Sequence, residues 1–342
     1  WTLATSGLDG RARALELKLV DAVAYADSFR EGLEKIGGDE PALLPILDYR
    51  PRRSRARQAL AVLSAEGTIV RGDGGVEPWT DEVFLGSQDL AGELNRLRED
   101  EDVAAVVLRI DSPGGSALAS DLILHEVERL RTAKPVVVSM SDVAASGGYY
   151  IAARATKIVA EGATITGSIG VFAGKLATRR FQRELLGITH DAAMRGAHAD
   201  LYSSLDPFTA DQAAVFGLRM RATYDTFLGH VAAGRHLPVD AVERVAAGRV
   251  WTGADALKAG LVDELGGLDR ALELARDAAC LAPGAALRIA YYPQTPGFLE
   301  ALWKRSRPAI PARLGEFLRT LNPRPAMALE LAPELRSLAR PF

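Results

Sequence analysis

A chain of 342 residues, 48% hydrophobic and 25% charged, has the make-up of an ordinary globular protein and is long enough for one large core with additions. A net charge of −3 excludes a general nucleic-acid binder, and the single cysteine, Cys280, excludes an internal disulfide framework and a cysteine-cluster metal site. The five histidines show no paired-ligand spacing, so neither a metal nor another cofactor is expected, and no apolar run approaches the ~18 residues that cross a bilayer. There is no signal-peptide pattern, and the opening on Trp1 rather than Met reads as a mature or partial chain.

The first segment gains meaning from the far end of the chain. Ala14-Leu15-Glu16-Leu17-Lys18-Leu19-Val20-Asp21 matches Ala256-Leu257-Lys258-Ala259-Gly260-Leu261-Val262-Asp263 at five of eight positions, and Trp1-Thr2 echoes Trp251-Thr252. The offset of 242 residues is a whole domain rather than a solenoid repeat, so residues 1–36 read as the tail of an upstream copy of the same domain. Residues 37–56, rich in Pro and Arg, read as a linker whose arginines form a solvated run. A strand pattern starts at Ala59 and reaches Val70, with Gly67 at a turn or bulge and a loop over Gly72–Gly75. Leu90, Leu94 and Leu97 then mark one helical face.

From Val103 the pattern is dense. Val103–Ile110 is an apolar strand that runs into Asp111-Ser112-Pro113-Gly114-Gly115-Ser116, after which Leu118, Leu122, Ile123, Val127 and Leu130 recur at helical spacing. Pro135-Val136-Val137-Val138 starts a second buried strand, which leads to Ala144-Ala145-Ser146-Gly147-Gly148-Tyr149-Tyr150. Two successive strand–glycine loop–helix units predict an α/β fold with a parallel sheet, whose loops open on one edge at the carboxyl ends of the strands. Small residues around Ser146 leave its hydroxyl unobstructed, as in a nucleophile elbow, although Ala144 replaces the first glycine of G-x-S-x-G; close helix–sheet packing explains the same small residues. Gly114, Gly115 and Gly147 can aim backbone N–H groups beside that hydroxyl, the geometry of an oxyanion hole.

Beyond it, Ile158–Ala160 reads as a short strand and Thr166-Gly167-Ser168-Ile169-Gly170 puts a second serine between glycines, which taken alone is a turn. Thr209 and Gln212 form a capping-box pattern ahead of a long helix with Phe216, Met220, Tyr224, Phe227 and Val231 on one side. Asp255–Leu261 reads as a helix stopped by Gly260, and Asp269–Ala279 as a further helix. The tail, residues 291–342, is basic and proline-broken with an apolar side, suited to an anionic membrane surface or to another subunit.

Four of these motifs, in order, resemble the signal peptide peptidase A (protease IV) family. They are Asp111–Ser116, Ser139–Tyr150, Thr166–Gly170, and Gly248-Arg249-Val250-Trp251-Thr252-Gly253 through Leu261-Val262-Asp263. The resemblance covers residues 57–290, and residues 1–36 resemble the end of the amino-terminal half of the long, tandem-domain form. It implies a Clp-protease/crotonase-like fold of repeated ββα units with parallel sheet layers flanked by helices. It also implies a serine endopeptidase of the Ser–Lys type that degrades signal-peptide remnants and other hydrophobic peptides. Ser146 would be the nucleophile, Gly147 with Gly114 or Gly115 the oxyanion hole, and Ser168 the residue that holds the lysine amine. A homo-oligomer, a tetramer by resemblance, at the outer or periplasmic face of a bacterial cytoplasmic membrane is expected, with no nucleic-acid partner.

The sequence departs from single-domain relatives at the base. Where they carry a lysine motif this chain has Arg195-Gly196-Ala197-His198-Ala199-Asp200, and Ala199 stands at the base position. Long-form relatives place the lysine in the upstream half, so the base is expected outside this chain. His198 is a lesser substitute, and Lys157 and Lys175 are expected to point into solvent. Two rival readings remain at this point: a crotonase-type enzyme acting on an acyl-coenzyme A, and a scaffold half without catalysis.

Overall fold

The computed structural model describes residues 14–23, 32, 35 and 56–293 except 78 and 283–285. The predicted linker up to residue 55, the tail from 294 and the Trp1-Thr2 echo lie outside the described residues. The chain forms two compact units, Trp1–Arg53 and Ser54–Phe342.

In the first unit, residues 14–16 make a helical turn that closes with Leu19 N–H donating to the Ala14 carbonyl (2.9 Å) and Lys18 N–H to that of Leu15 (3.0 Å). Lys18 takes φ +54°. The second unit repeats this turn 242 residues later: Leu261 N–H donates to Ala256 O (2.8 Å), Gly260 N–H to Leu257 O (3.1 Å), and Gly260 has φ +73°. The matching sequences therefore adopt the same helix-stop conformation. Their burial differs: Leu261 and Val262 are buried, whereas Leu17, Leu19 and Val20 are exposed.

The second unit is built on an eight-stranded sheet. Six of its strands are β1 (Ala59–Glu66), β5 (Val103–Ser112), β6 (Val136–Ala145), β7 (Lys157–Ala160), β10 (Glu264–Leu265) and β11 (Arg288–Tyr292). They lie parallel in the order β10-β7-β6-β5-β1-β11. The runs in β1, β5 and β6 are apolar on both faces because both faces are covered, as parallel sheets require. One face packs on α1 (Ser87–Glu99), α2 (Ala117–Ala133) and α3 (Gly147–Ala152), burying Leu94, Leu97, Ile123, Val127 and Leu130 against Leu63, Leu108 and Val138. The other packs Leu60, Val62, Val107 and Val137 on Ala271 and Ala275 of α8 (Leu268–Ala278). A small sheet of β2 (Thr68–Val70), β4 (Val83–Gly86) and β3 (Gly75–Val76) stands beside it. The turn predicted at Gly67 is present, at φ +96°.

Strand β6 positions the site. Its first half pairs with β7, whereas Val143–Ala145 pair instead with β8 (Ile165–Gly167), which in turn pairs antiparallel with β9 (Val250–Thr252). The switch coincides with a bulge: Ile110 stands opposite Met140, but Ser112 opposite Ala144. The extra residues push Ala144-Ala145 forward past the end of β7. The long helix α5 (Ala210–Arg235) starts with the predicted capping box, Thr209 with Gln212. Its second half joins the core through Phe227, Leu228 and Val231, while Phe216, Met220 and Tyr224 are only half-buried. The remaining helices among the described residues are α4 (Arg179–Leu185), α6 (Val239–Val245) and α7 (Gly253–Lys258).

Candidate active site

Ser146 sits between β6 and α3 with φ +51° and ψ −117°, a conformation that costs an ordinary residue about 1–3 kcal/mol. It is held by bonds on both sides. Its N–H donates to Gly167 O (2.9 Å) and its carbonyl accepts from Tyr150 N–H (2.8 Å). The predicted elbow is therefore present despite Ala144, because the turn is fixed by strand β8 rather than by a first glycine.

The loop after β5 closes over this turn. A Cβ on Gly114 would lie 2.5 Å from Gly147 N and 2.9 Å from Ser146 Cβ, and a Cβ on Gly147 would lie 2.5 Å from Ser120 Oγ. Only glycine allows the two loops to approach so closely. The three predicted donors differ. Gly114 N–H donates to Ser112 Oγ (3.1 Å), which itself donates to Gly67 O (2.6 Å). The N–H groups of Gly115 and Gly147 donate to no protein acceptor among the described residues.

Ser168 also has a left-handed backbone, φ +50°, and its N–H donates to Arg249 O (2.8 Å). The motif Gly248–Gly253 thus clamps Ser168 from outside: Gly248 N–H bonds Ile169 O (2.9 Å), and Trp251 packs against Gly167 while its indole N–H bonds Val245 O (2.9 Å). Neither serine hydroxyl has a protein partner among the described residues.

Ser146, Gly147, Gly114, Gly115 and Ser168 line one cleft of about 1150 Å³. Its far wall is Met220, Tyr224 and Phe227 of α5, with Tyr150, Val171 and Phe172. Ionisable groups at its edge are Arg221 and Glu243, paired at 3.6 Å, with Asp225 2.9 Å from Arg221. Burial, then the hydrogen bond to Asp121, pushes the Tyr150 phenol well above its ordinary range, so it is neutral and donates at all working pH values.

No lysine or histidine among the described residues lines this cleft. His198 reaches Asp211 (3.5 Å) and Ala199 lies in an exposed turn. Lys157 pairs with Asp263 (3.5 Å). Lys175 does not extend into solvent as expected: its ammonium lies 4.3 Å over the Phe208 ring and donates to Leu201 O (3.3 Å), which satisfies the charge locally. Burial, opposed by Asp100 and Glu101, lowers the pKa of Lys134, but that amine bonds Leu97 O and Asp100 O at the carboxyl end of α2, away from the cleft. No cluster of metal-ligating side chains occurs among the described residues.

Sequence reading missed the supports of the site: the Ser112 hydroxyl, Ser120 beneath Gly147, and the Tyr150 hydroxyl on Asp121. Ser112 also accepts from Gly114 N–H two residues on, but its bond to Gly67 O and the contacts of Ser120 and Tyr150 reach other elements, which no local pattern shows.

Comparison with known proteins places the chain in a family. The model of peptidase family S49 matches residues 128–282, which include both serine segments. The chain is similar to the chloroplastic serine protease SPPA of Arabidopsis thaliana (38% identity over 77% of this chain and 40% of that protein). It is also similar to Protease 4 of Salmonella typhi (33% over 95% of this chain and 52% of that protein), so it spans about half the length of these relatives or less. A putative protease of Synechocystis is 36% identical over 60% of this chain, and 73% of that protein is covered. Matched to the family over the Ser146 and Ser168 segments, and covering most of that shorter relative, the chain belongs to peptidase family S49.

Proposed function

We propose that this chain is the nucleophile-bearing half of a Ser–Lys endopeptidase that cuts hydrophobic peptides, signal-peptide remnants among them. The observation that carries the reading is Ser146 on its strained turn, beside two unpartnered N–H groups in an open, largely apolar cleft. In the first step Ser146 Oγ attacks the scissile carbonyl and its proton passes to a neutral lysine amine. The C–O bond forms, and Gly115 and Gly147 N–H receive the oxyanion, donors commonly worth ~3 kcal/mol each in the transition state. Collapse breaks the C–N bond as the protonated lysine returns its proton to the leaving amine. Water, deprotonated by the same lysine, then hydrolyses the acyl ester.

The lysine is assigned to an upstream copy of the domain, with Ser168 Oγ accepting from its amine. Support comes from the cleft, which no described lysine enters, and from residues 14–21, whose turn duplicates that of 256–263 while its leucines stay exposed. Those leucines suit the interior of a domain that lies mostly outside this chain. By the same family reasoning the protein works as a homo-oligomer at the bacterial cytoplasmic membrane. No helix among the described residues is long and apolar enough to cross it.

Hydrolysis of a leucine-rich fluorogenic peptide tests the reading, with the chain alone and after addition of the separately expressed upstream half, and with Ser146→Ala as control. Activity that appears only on addition and vanishes in the control is expected. Ser146-dependent activity of the chain alone would put the base within these 342 residues and overturn the split site.

A further inference from the structure

The Gly115 and Gly147 N–H groups belong to separate segments, so the gap between them depends on how two helices dock. Gly115 leads through the Ser116 cap into α2, and Gly147 is the first residue of α3. At the start of the contact Ser120 of α2 lies under Gly147, close enough that a Cβ there would meet its hydroxyl at 2.5 Å. One residue further along α2, Asp121 Oδ1 accepts a 2.8 Å hydrogen bond from the Tyr150 hydroxyl, the single hydrogen bond between α2 and α3 among the described residues. The same carboxylate oxygen lies 3.5 Å from His230 Nε2 of α5. The Tyr150 ring is packed 4.6 Å from Phe227 and 5.3 Å from His230, ring centre to ring centre. Tyr150 N–H in turn holds the Ser146 carbonyl (2.8 Å).

We infer that Asp121 is a positioning residue: through Tyr150 it fixes α3 against α2 and so sets the spacing of the Gly115 and Gly147 N–H donors. The inference rests on the reading of those two groups as the oxyanion pocket. The position of the bond favours this role over plain stability. Asp121 is half-exposed and loses little if the bond is cut, whereas Tyr150 is buried on the cleft wall one turn after the nucleophile. A charge-assisted bond at the first turn of a short helix restrains that helix where it meets the site.

The test needs no base and no turnover. A leucine-rich peptide that ends in a free carboxylate presents an oxyanion to the pocket, and the same peptide as its carboxamide does not. Affinities of both are measured on the full chain by fluorescence anisotropy. The wild type should prefer the carboxylate by about tenfold. Asp121→Leu, whose side chain does not line the cleft, should cut that preference to about threefold or less while the carboxamide binds as before, and Tyr150→Phe, which keeps the ring packing and leaves Asp121 in water, should cut the preference to the same degree. Asp121→Asn, whose amide oxygen still accepts from Tyr150, should retain it. Melting curves for each variant confirm folding. A wild-type preference that survives Tyr150→Phe overturns the positioning role and leaves the proposed pocket standing. No preference in the wild type removes the pocket and the inference together.

Discussion

The two flanks of the cleft are built on opposite terms. On the strand-end flank, from Asp111 to Gly170, nearly every turn is tied to a neighbouring strand, and Ser112, Gly147, Tyr149 and Thr166 are buried. On the other flank, Val171 to Ala177 make no backbone N–H hydrogen bond within the described residues. Phe172 there is 97% and Leu176 80% exposed, with Leu185, Met194 and Tyr202 exposed further along. The first flank must hold polar atoms against water and strain, which takes over-determined backbone. The second presents mainly apolar surface at the cleft, with Lys175 turned onto Phe208 and the Leu201 carbonyl, and such surface needs a cover rather than a fixed position. Folding stability should therefore reside in the first flank and be insensitive to the second.

The largest effect that would break this comparison lies at Gly114. An alanine there places its Cβ 2.5 Å from Gly147 N and 2.9 Å from Ala145 O, both backbone, at φ +99°. Neither atom can move without shifting the Ser146 turn, so Gly114→Ala is expected to cost about 3 kcal/mol or more by urea unfolding. A cost under about 1 kcal/mol would mean that the loop is far less constrained than its contacts indicate.

Next is Asp263, which anchors the first flank from below. Its carboxylate accepts from Ile158 N–H (2.7 Å) and from Arg235 (2.8 Å), whose side chain is only 8% exposed. Burial alone would raise this carboxyl. The Arg235 hydrogen bond and charge, the Ile158 N–H and Lys157 outweigh it, so its pKa lies below the usual value. A folded pKa below the unfolded one, about 4, contributes stability that is present above pH 4 and is lost as pH falls through the folded value. Asp263→Asn should cost about 2 kcal/mol at neutral pH, since Arg235 keeps only the Gly260 carbonyl, and should flatten the acid side of the stability curve. A variant whose acid limb matches the wild type would refute the linkage.

How much of this was legible in the sequence follows from how local each signal is. The β-branched runs at Val103 and Val136, the glycine loops and the Thr209 box are local, and the sequence placed them correctly. The motif around Trp251 was recognisable but its purpose was not, because its contact with Ser168 runs through β8 and β9, about 80 residues apart in sequence. The amphipathic pattern of α5 overstated its burial: Phe216 and Met220 fit a core stripe, yet Met220 borders the open cleft and Phe216 packs on the partly exposed rings of Phe208 and Tyr202. Lys175 was expected in solvent, since no pattern reveals a ring such as Phe208 waiting beneath it. That Gly114 N–H is already taken, leaving Gly115 as the free neighbour in the proposed pocket, is visible only with the Ser112 hydroxyl in place.

A smaller effect separates chemistry from stability within the first flank. Ser168 has φ +50° and a hydroxyl with no protein partner among the described residues, so its β-carbon is a cost that folding does not recover. Ser168→Gly should raise stability by as much as ~1 kcal/mol, or leave it unchanged where the looser unfolded chain offsets the gain. Its peptidase activity, measured with the upstream half present, should fall at the same time. A variant that loses stability instead would give the hydroxyl a structural duty and weaken its assignment to the lysine.

The smallest expected effect is the sharpest test of the second flank. Phe172 touches almost nothing among the described residues, so Phe172→Ser should change the unfolding free energy by less than about 0.5 kcal/mol. An aromatic side chain left 97% exposed at the mouth of a cleft loses nothing on truncation unless another molecule covers it. If the proposed oligomer provides that cover, sedimentation velocity should show the variant dissociating at higher concentration than the wild type while melting at the same temperature when dilute. A drop in melting temperature for the dilute variant would instead mean that the segment folds back onto its own cleft, and the contrast between a fixed flank and an uncovered one would fail at its clearest point.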